Sequence, residues 1–442
     1  MSLRESARTR TRWALAYGVQ RGLIRWSARR GDPVAALQVD PALHRDPFGA
    51  YEDLRARGPV VRGPIWATVD HAACNAILRS EDFGTGGGHG ELPPPLRRLL
   101  ERITDPQTIG PVDPPSMLAV DPPLHTRYRQ HVARAFTARK VGRMADRVEA
   151  VAVRLLDEVA RSGDEVVDLV ERYAALLPVA VISDLLGVPE EQRQRVLELG
   201  NQAAATLEPA LGFARYQQAE AALREMHELF ADHVERLRAA PGEDLLSQII
   251  SSDAEDPLTD VELHQVGLLV LGAGFETTVN LIGNAVALLD RHPDQLRVLQ
   301  AEPDLWPNAV DEVLRHESPV QMTMRVALRD AEIAGTRVPA GRAVLAVLGG
   351  ANRDPAVFDE PARFDVRRPN AHDHVAFSAG VHYCVGASLA RLEAAVALRL
   401  LYERFPGLRI AGEPERRETR ILRGYERLPV AVGAQEMQRA VS

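Results

Sequence analysis

The stretch VGLLVLGAGFETTVNLIGNAVALL, residues 266–289, constrains this chain most. A segment so long and so nearly apolar must be hidden from water, in lipid or in protein. Glu276, Asn280 and Asn284 interrupt it, and ionisable or amide side chains are costly in hydrocarbon, so a core helix is the better reading. Thr259 and Glu262 have capping-box spacing and predict where the helix starts. At its centre, Gly272-Ala273-Gly274-Phe275-Glu276-Thr277-Thr278 is poor for helix strength and predicts a local widening. A helix buried all round needs other helices to bury it. Leu/Ala/Val-periodic stretches at 141–162, 188–205, 214–239 and 386–404 supply them. Short β signals at 59–69, 332–348 and 427–432 predict small peripheral sheets, so the expected fold is mainly α with a minor β part, α+β in class.

No linker, repeat or charge block divides the 442 residues, which predicts a basic N-terminal segment, 1–40, followed by one domain over 41–442. In the first thirty residues eight arginines (Arg4, Arg8, Arg10, Arg12, Arg21, Arg25, Arg29, Arg30) stand against a single acid, Glu5. The apolar run from Trp13 to Val19 is too short to span a bilayer, and no signal-cleavage site follows it. An arm lying on the protein body is the expected placement. Transient peripheral contact with an anionic membrane is the alternative, and no transmembrane anchor is expected. A net charge of −8 argues against nucleic acid as a partner, and two cysteines argue against a disulfide framework. A cytoplasmic monomer is expected. Prolines and glycines mark a long irregular connection over 83–120, where Gly86-Gly87-Gly88 lacks the Lys-Ser/Thr of a phosphate loop and reads as a tip.

One of the two cysteines lies in Phe377-Ser-Ala-Gly380-Val-His382-Tyr-Cys384-Val-Gly386, just before a predicted helix. The positive end of that helix would stabilise a thiolate, and Gly380 and Gly386 would let the loop lie flat against a planar ligand. Three other readings compete: a buried core thiol, a Cys-His hydrolase nucleophile with His382, and a zinc ligand. Zinc is the weakest, since Cys74 is the only other thiol and no paired spacing exists.

The run FSAGVHYCVG resembles the haem-binding signature of the cytochrome P450 superfamily, departing from it at Ser378, where glycine is usual. Ala273, Gly274, Glu276 and Thr277 resemble the oxygen-activation motif of the same superfamily. Glu312-Val-Leu-Arg315 resembles its Glu-x-x-Arg, and Asp121-Pro-Pro-Leu-His125-Thr-Arg127-Tyr-Arg129 its Asp-Pro-Pro-x-His-x-x-x-Arg. The resemblance implies a P450 fold, with haem b held between the long central helix and the helix after the cysteine loop. It implies a bacterial, ferredoxin-dependent haem-thiolate monooxygenase, an oxidoreductase that inserts one oxygen atom into a lipophilic substrate by hydroxylation or epoxidation.

By that resemblance Cys384 is the axial ligand of the haem iron, and Ala273, Phe377, Gly380 and Gly386 line the haem. His125, Arg129, Arg325 and His382 would be the cations for its propionates. Thr277 would hold oxygen and a water while Glu276 relays protons. Glu312 and Arg315 would form a structural network completed by Arg363. The substrate pocket would use Leu268, Leu269, Val320, Gln321, Met322, Thr323 and Leu422, together with the 83–120 and 199–215 segments. Those residues are largely apolar, which favours a fatty acyl chain, sterol, terpene or polyketide. Phe275, where the family often has a smaller or polar residue, would narrow or redirect the channel. Electrons from NAD(P)H would arrive through a flavin reductase and an acidic ferredoxin docking at Arg127, Arg134, Arg139, Lys140 and Arg143, with O2 as oxidant. A peroxide-driven peroxygenase and a non-catalytic haem-thiolate ligand binder are the alternatives.

Overall fold

The computed structural model describes residues 3–86, 94–252 and 256–432; Gly87 and Gly88 of the expected loop tip lie outside them. The central helix runs Asp260–Arg291 behind an intact capping box. Glu262 N–H donates to Thr259 Oγ1 at 3.4 Å, and Thr259 N–H donates back to Glu262 Oε2 at 2.8 Å. The helix is unbroken through 272–278, so the expected widening is absent. Glycine serves close packing instead. A Cβ on Gly274 would lie 2.7 Å from Ile182 Cγ1. The helix that carries Ile182, Leu176–Leu186, is apolar on nearly every face and so has no period to betray it in the sequence.

The helices Ala145–Ser162, Phe213–Ala239, Trp306–His316 and Ala387–Arg404 complete the body. Leu155, Ile182, Phe230, Val310 and Leu398 join Val279, Ile282 and Val286 of the central helix in one core. Each such burial contributes about 1.5–3 kcal/mol, which offsets the Asn280, Asn284 and Glu276 side chains hidden on the same helix.

The sheets are small and peripheral. The largest orders Trp66–Thr68, Ala343–Ala346, Thr323–Ala327 and Phe83–Gly84, the first pair parallel and the rest antiparallel. Pairing of Arg325 with Val344 fixes the register that aims Arg325 at the site. A second sheet joins Val166–Asp168, Pro429–Ala431 and Arg409–Ile410.

The N-terminal segment is helical from Leu3 to Arg29, with one wider turn at Ala14–Gly18. It lies on the body. Arg12 forms a buried ion pair with Glu220, Trp13 Nε1 donates to Leu211 O at 3.0 Å, and Tyr17 Oη donates to Thr206 O at 3.0 Å. Packing also crosses residue 40, since Val34 and Leu37 share a cluster with Tyr51 and Leu54.

Candidate active site

The cysteine loop is held by its own backbone. Cys384 N–H donates to Phe377 O at 2.9 Å, and Tyr383 N–H to Gly380 O at 3.1 Å. Gly380 has φ +67°, and a Cβ there would stand 2.3 Å from Leu78 O. Its glycine is demanded by the left-handed φ and by the helix His71–Arg79 behind the loop. Gly386 has φ −88° and ψ 5°, which other residues also adopt, so its conformation does not require glycine. Ser378 has φ +63°, the left-handed region, and its buried hydroxyl has no partner among the described residues. The backbone asks for glycine here and the sequence supplies serine.

Cys384 is exposed, although its loop sits between packed helices. Opposite, the central helix packs on Ala387–Arg404, and from Phe275 to Leu289 every residue but Thr277 is buried. Ala273 is exposed in mid-helix. Ala273 and Cys384 are each exposed within an otherwise packed helical body, which is what an internal slot between them would require. Although the sulfur is accessible, the protein packed around it pushes the Cys384 thiol pKa up, against the Gly386 N–H, Arg129 and Arg391, which pull it down. The net direction is upward, so the helix terminus alone does not pre-charge the sulfur as the sequence suggests. A metal cation at the sulfur is what would favour the thiolate.

Cationic and imidazole groups gather near the sulfur. The His125 and His382 rings stand 4.2 Å apart, and Arg129 is near enough to Cys384 to stabilise its thiolate. His382 Nε2, 3.5 Å from Asp121 Oδ1, is buried without a hydrogen-bond partner. Buried Arg325 donates from Nη1 to Thr323 Oγ1 at 3.1 Å and Met324 O at 2.9 Å. His125 differs from the expectation of a cation. Burial, with His382 and Arg129 beside it, pulls its pKa down to about 4, so it offers a neutral imidazole. An orphaned buried imidazole nitrogen, two arginines and a sulfur facing a slot fit haem, which presents iron to the thiolate and two carboxylates to the donors.

The acid and the alcohol are both engaged. Thr277 Oγ1 donates to Ala273 O at 3.1 Å, the back-bond usual for mid-helix threonine. Glu276 is buried and ion-paired with Arg417, a residue the sequence reading missed. A buried carboxylate demands a counter-ion, but the partner lies 141 positions away and no spacing announces it.

A cytochrome P450 family profile matches residues 107–417 of this chain. The chain belongs to the cytochrome P450 family.

Cytochrome P450 140 of Mycobacterium tuberculosis is 47% identical over 95% of this P450 and 97% of its own length. The 6-deoxyerythronolide B hydroxylase of Saccharopolyspora erythraea is 42% identical, covering 90% and 98% respectively. Among solved structures, P450BioI bound to an acyl carrier protein ligated to hexadec-9Z-enoic acid superimposes with TM-score 0.81 at 33% identity, covering 88% of this chain and 99% of that one. The protein is a monooxygenase of the actinobacterial type, and its family implies haem and O2.

Three expectations about this P450 are corrected by its geometry. In the buried network, Arg315 donates from Nε to Glu312 Oε2 at 2.6 Å and from Nη2 to Oε1 at 2.8 Å. Its third side chain is Arg368, with Nε 3.2 Å from Glu312 Oε2. Arg363 turns its guanidinium outward to Glu360 and Asp365 and lends only its carbonyl, which accepts from Arg315 and Arg368. Sequence cannot separate two arginines five residues apart in an irregular segment.

The pocket set also divides. Leu269 lies one turn before Ala273 and shares its face, and Thr323 lies with Arg325. Leu268 points instead into a crevice with Val196, Met226 and Phe230. Gln321 accepts from Tyr51 Oη at 2.7 Å, and Met322 packs with Val34 and Leu37, so both are engaged by the N-terminal part of the chain. Val320 bridges Leu422, zipping the tip of the C-terminal hairpin onto this strand entry. Phe275 is buried against Gly200, where a Cβ would come within 2.3 Å of its ring, and it does not line the slot.

The expected docking patch loses a member. Arg127 is tied to Glu262 at 2.7 Å and to Asp256 at 2.6 Å. Lys140 donates to Gln248, whereas Arg134, Arg139 and Arg143 are exposed.

Proposed function

We propose that this P450 hydroxylates or epoxidises a lipophilic natural product, a polyketide ahead of a fatty acyl chain, sterol or terpene. Two electrons come from NAD(P)H through a flavin reductase and an acidic ferredoxin. One atom of O2 enters a C–H bond or alkene, and two protons take the other away as water. The observation that carries the reading is that Ala273, one turn from Thr277, and the Cys384 sulfur are both exposed within an otherwise packed helical body. Similarity to 6-deoxyerythronolide B hydroxylase puts a polyketide first.

Haem, when bound, supplies the oxygen-activating redox chemistry. The chain does the rest. Cys384 would hold the iron through sulfur; Arg129, Arg325 and His382, with neutral His125 donating, would hold the carboxylates. Thr277 would rotate off the Ala273 carbonyl to place a hydroxyl proton in the slot, and Glu276 would replenish it when Arg417 releases one oxygen. Exposed Arg134, Arg139 and Arg143 would meet the donor, on a side where Phe136 approaches Gly386. A cytoplasmic location fits a donor of this kind.

The test begins with a reduced carbon-monoxide difference spectrum and haem spin-state titration against polyketide, sterol, terpene and fatty acid libraries. Oxygenated product should form with ferredoxin, reductase and NAD(P)H together. Turnover with hydrogen peroxide alone would instead make it a peroxygenase, and tight binding without turnover under either regime a ligand binder.

A further inference from the structure

Outside the active site, the most unusual surface is the helical N-terminal segment. Its last part, Val19–Arg29, turns Ile24 and Ser27 inward and leaves Val19, Leu23 and Trp26 exposed by 58, 61 and 52%. These three stand at i, i+4 and i+7, so they form a single stripe along one face. Stable folds hide such residues unless something else covers them.

The surroundings of the stripe are cationic. Arg25 and Arg29 are exposed along its flank, and the Arg30 guanidinium lies 4.1 Å from the Trp26 ring centroid. None of these arginines has a carboxylate partner among the described residues. The contrast with the rest of the chain is sharp: eight arginines against one glutamate in residues 1–30, but 45 basic against 60 acidic residues thereafter. A neighbouring helix repeats the pattern. Pro94–Ile103 packs on the N-terminal segment and exposes Leu96 and Leu99 beside exposed Arg98 and Arg102.

The segment is also tied to the body at several points. Besides the buried Arg12–Glu220 pair, Arg8 Nε donates to Ile103 O at 2.9 Å and Arg21 Nη1 to Ala210 O at 3.1 Å. The stripe is therefore presented outward by a folded body rather than carried on a loose tail. Apolar side chains with an indole among them, rimmed by unpaired arginines, match the two halves of a lipid interface, acyl chains below and phosphates above.

We infer that the N-terminal helix, through Val19, Leu23 and Trp26 with Arg25, Arg29 and Arg30, docks this P450 peripherally on an anionic phospholipid bilayer. Insertion is shallow and reversible, since three exposed apolar residues supply only a short anchor.

The experiment is flotation of the haem-loaded full-length protein with two vesicle types, phosphatidylcholine alone and phosphatidylcholine with about 30% phosphatidylglycerol. The wild type should float with the anionic vesicles, be released by high salt, and stay behind with the neutral ones. The variant V19S/L23S/W26S and, separately, R25E/R29E should each lower the floated fraction by about tenfold or more while keeping the carbon-monoxide spectrum of the wild type. A wild type that does not float, floats equally with both vesicle types, or is matched by either variant overturns the proposal. So does a stripe spent on a second copy, seen as a concentration-dependent dimer that V19S/L23S/W26S converts to monomer.

Discussion

Arg417 donates to Glu276 in a pair whose side chains are 9% and 5% exposed, so the acid next to Thr277 is locked to a cation from the C-terminal hairpin. Burial pushes the Glu276 pKa up, and Arg417 works against that shift. The second carboxylate oxygen has no partner among the described residues. On the proposed function, a proton relay through Glu276 would depend on this single ion pair.

Arg417→Met should strand a buried carboxylate and cost about 3–5 kcal/mol of stability. It should also raise the NAD(P)H consumed per product. Glu276→Gln in the same background should recover much of the loss in thermal unfolding, and strictly additive effects would show that the pair is not coupled.

Ser378→Gly should stabilise the holoprotein by about 1 kcal/mol, because glycine removes the left-handed penalty at φ +63°. Ser378→Ala should not. If alanine stabilises as well as glycine, the orphaned hydroxyl rather than the backbone is the source of strain.

Arg368→Ala should destabilise by about 3–5 kcal/mol, since it breaks a buried pair with Glu312. Arg363→Ala should stay within about 0.5 kcal/mol, as expected for an exposed side chain. Chemical denaturation of both variants decides which arginine belongs to the network.

Glu317 predicts an acid limb in the stability profile. Burial raises its pKa, but Arg423, Arg416 and Arg353 outweigh burial and hold it at about 2. A carboxylate depressed in the fold binds fewer protons than in the unfolded chain, so its contribution is complete above about pH 4.5 and is lost as pH falls toward 2. Thermal scans across that window should show a shallower slope for Glu317→Gln than for the wild type. Parallel slopes would place the acid sensitivity elsewhere.

Much of the site is legible in the chain because its chemistry is local. Cys384 and the glycine at 380 lie within five residues of one another, and the capping box of the central helix spans four. The central helix could be foreseen from its apolar run because such a run has few places to go. Leu176–Leu186 could not, since an all-apolar segment carries no helical period.

By itself, then, the sequence determined the mainly helical class, the buried central helix, the glycine-hinged cysteine loop and the family. Each is written in contiguous residue types whose spacing dictates their geometry. Only the tertiary structure decided that Arg417 holds Glu276, that Arg368 rather than Arg363 joins Glu312, that burial pulls the His125 pKa down, and that Leu268, Gln321 and Met322 are engaged elsewhere. Ion pairing and burial depend on distances between segments far apart in the chain, and the direction of a side chain on a strand or helix turns on a register that a shift of one residue reverses.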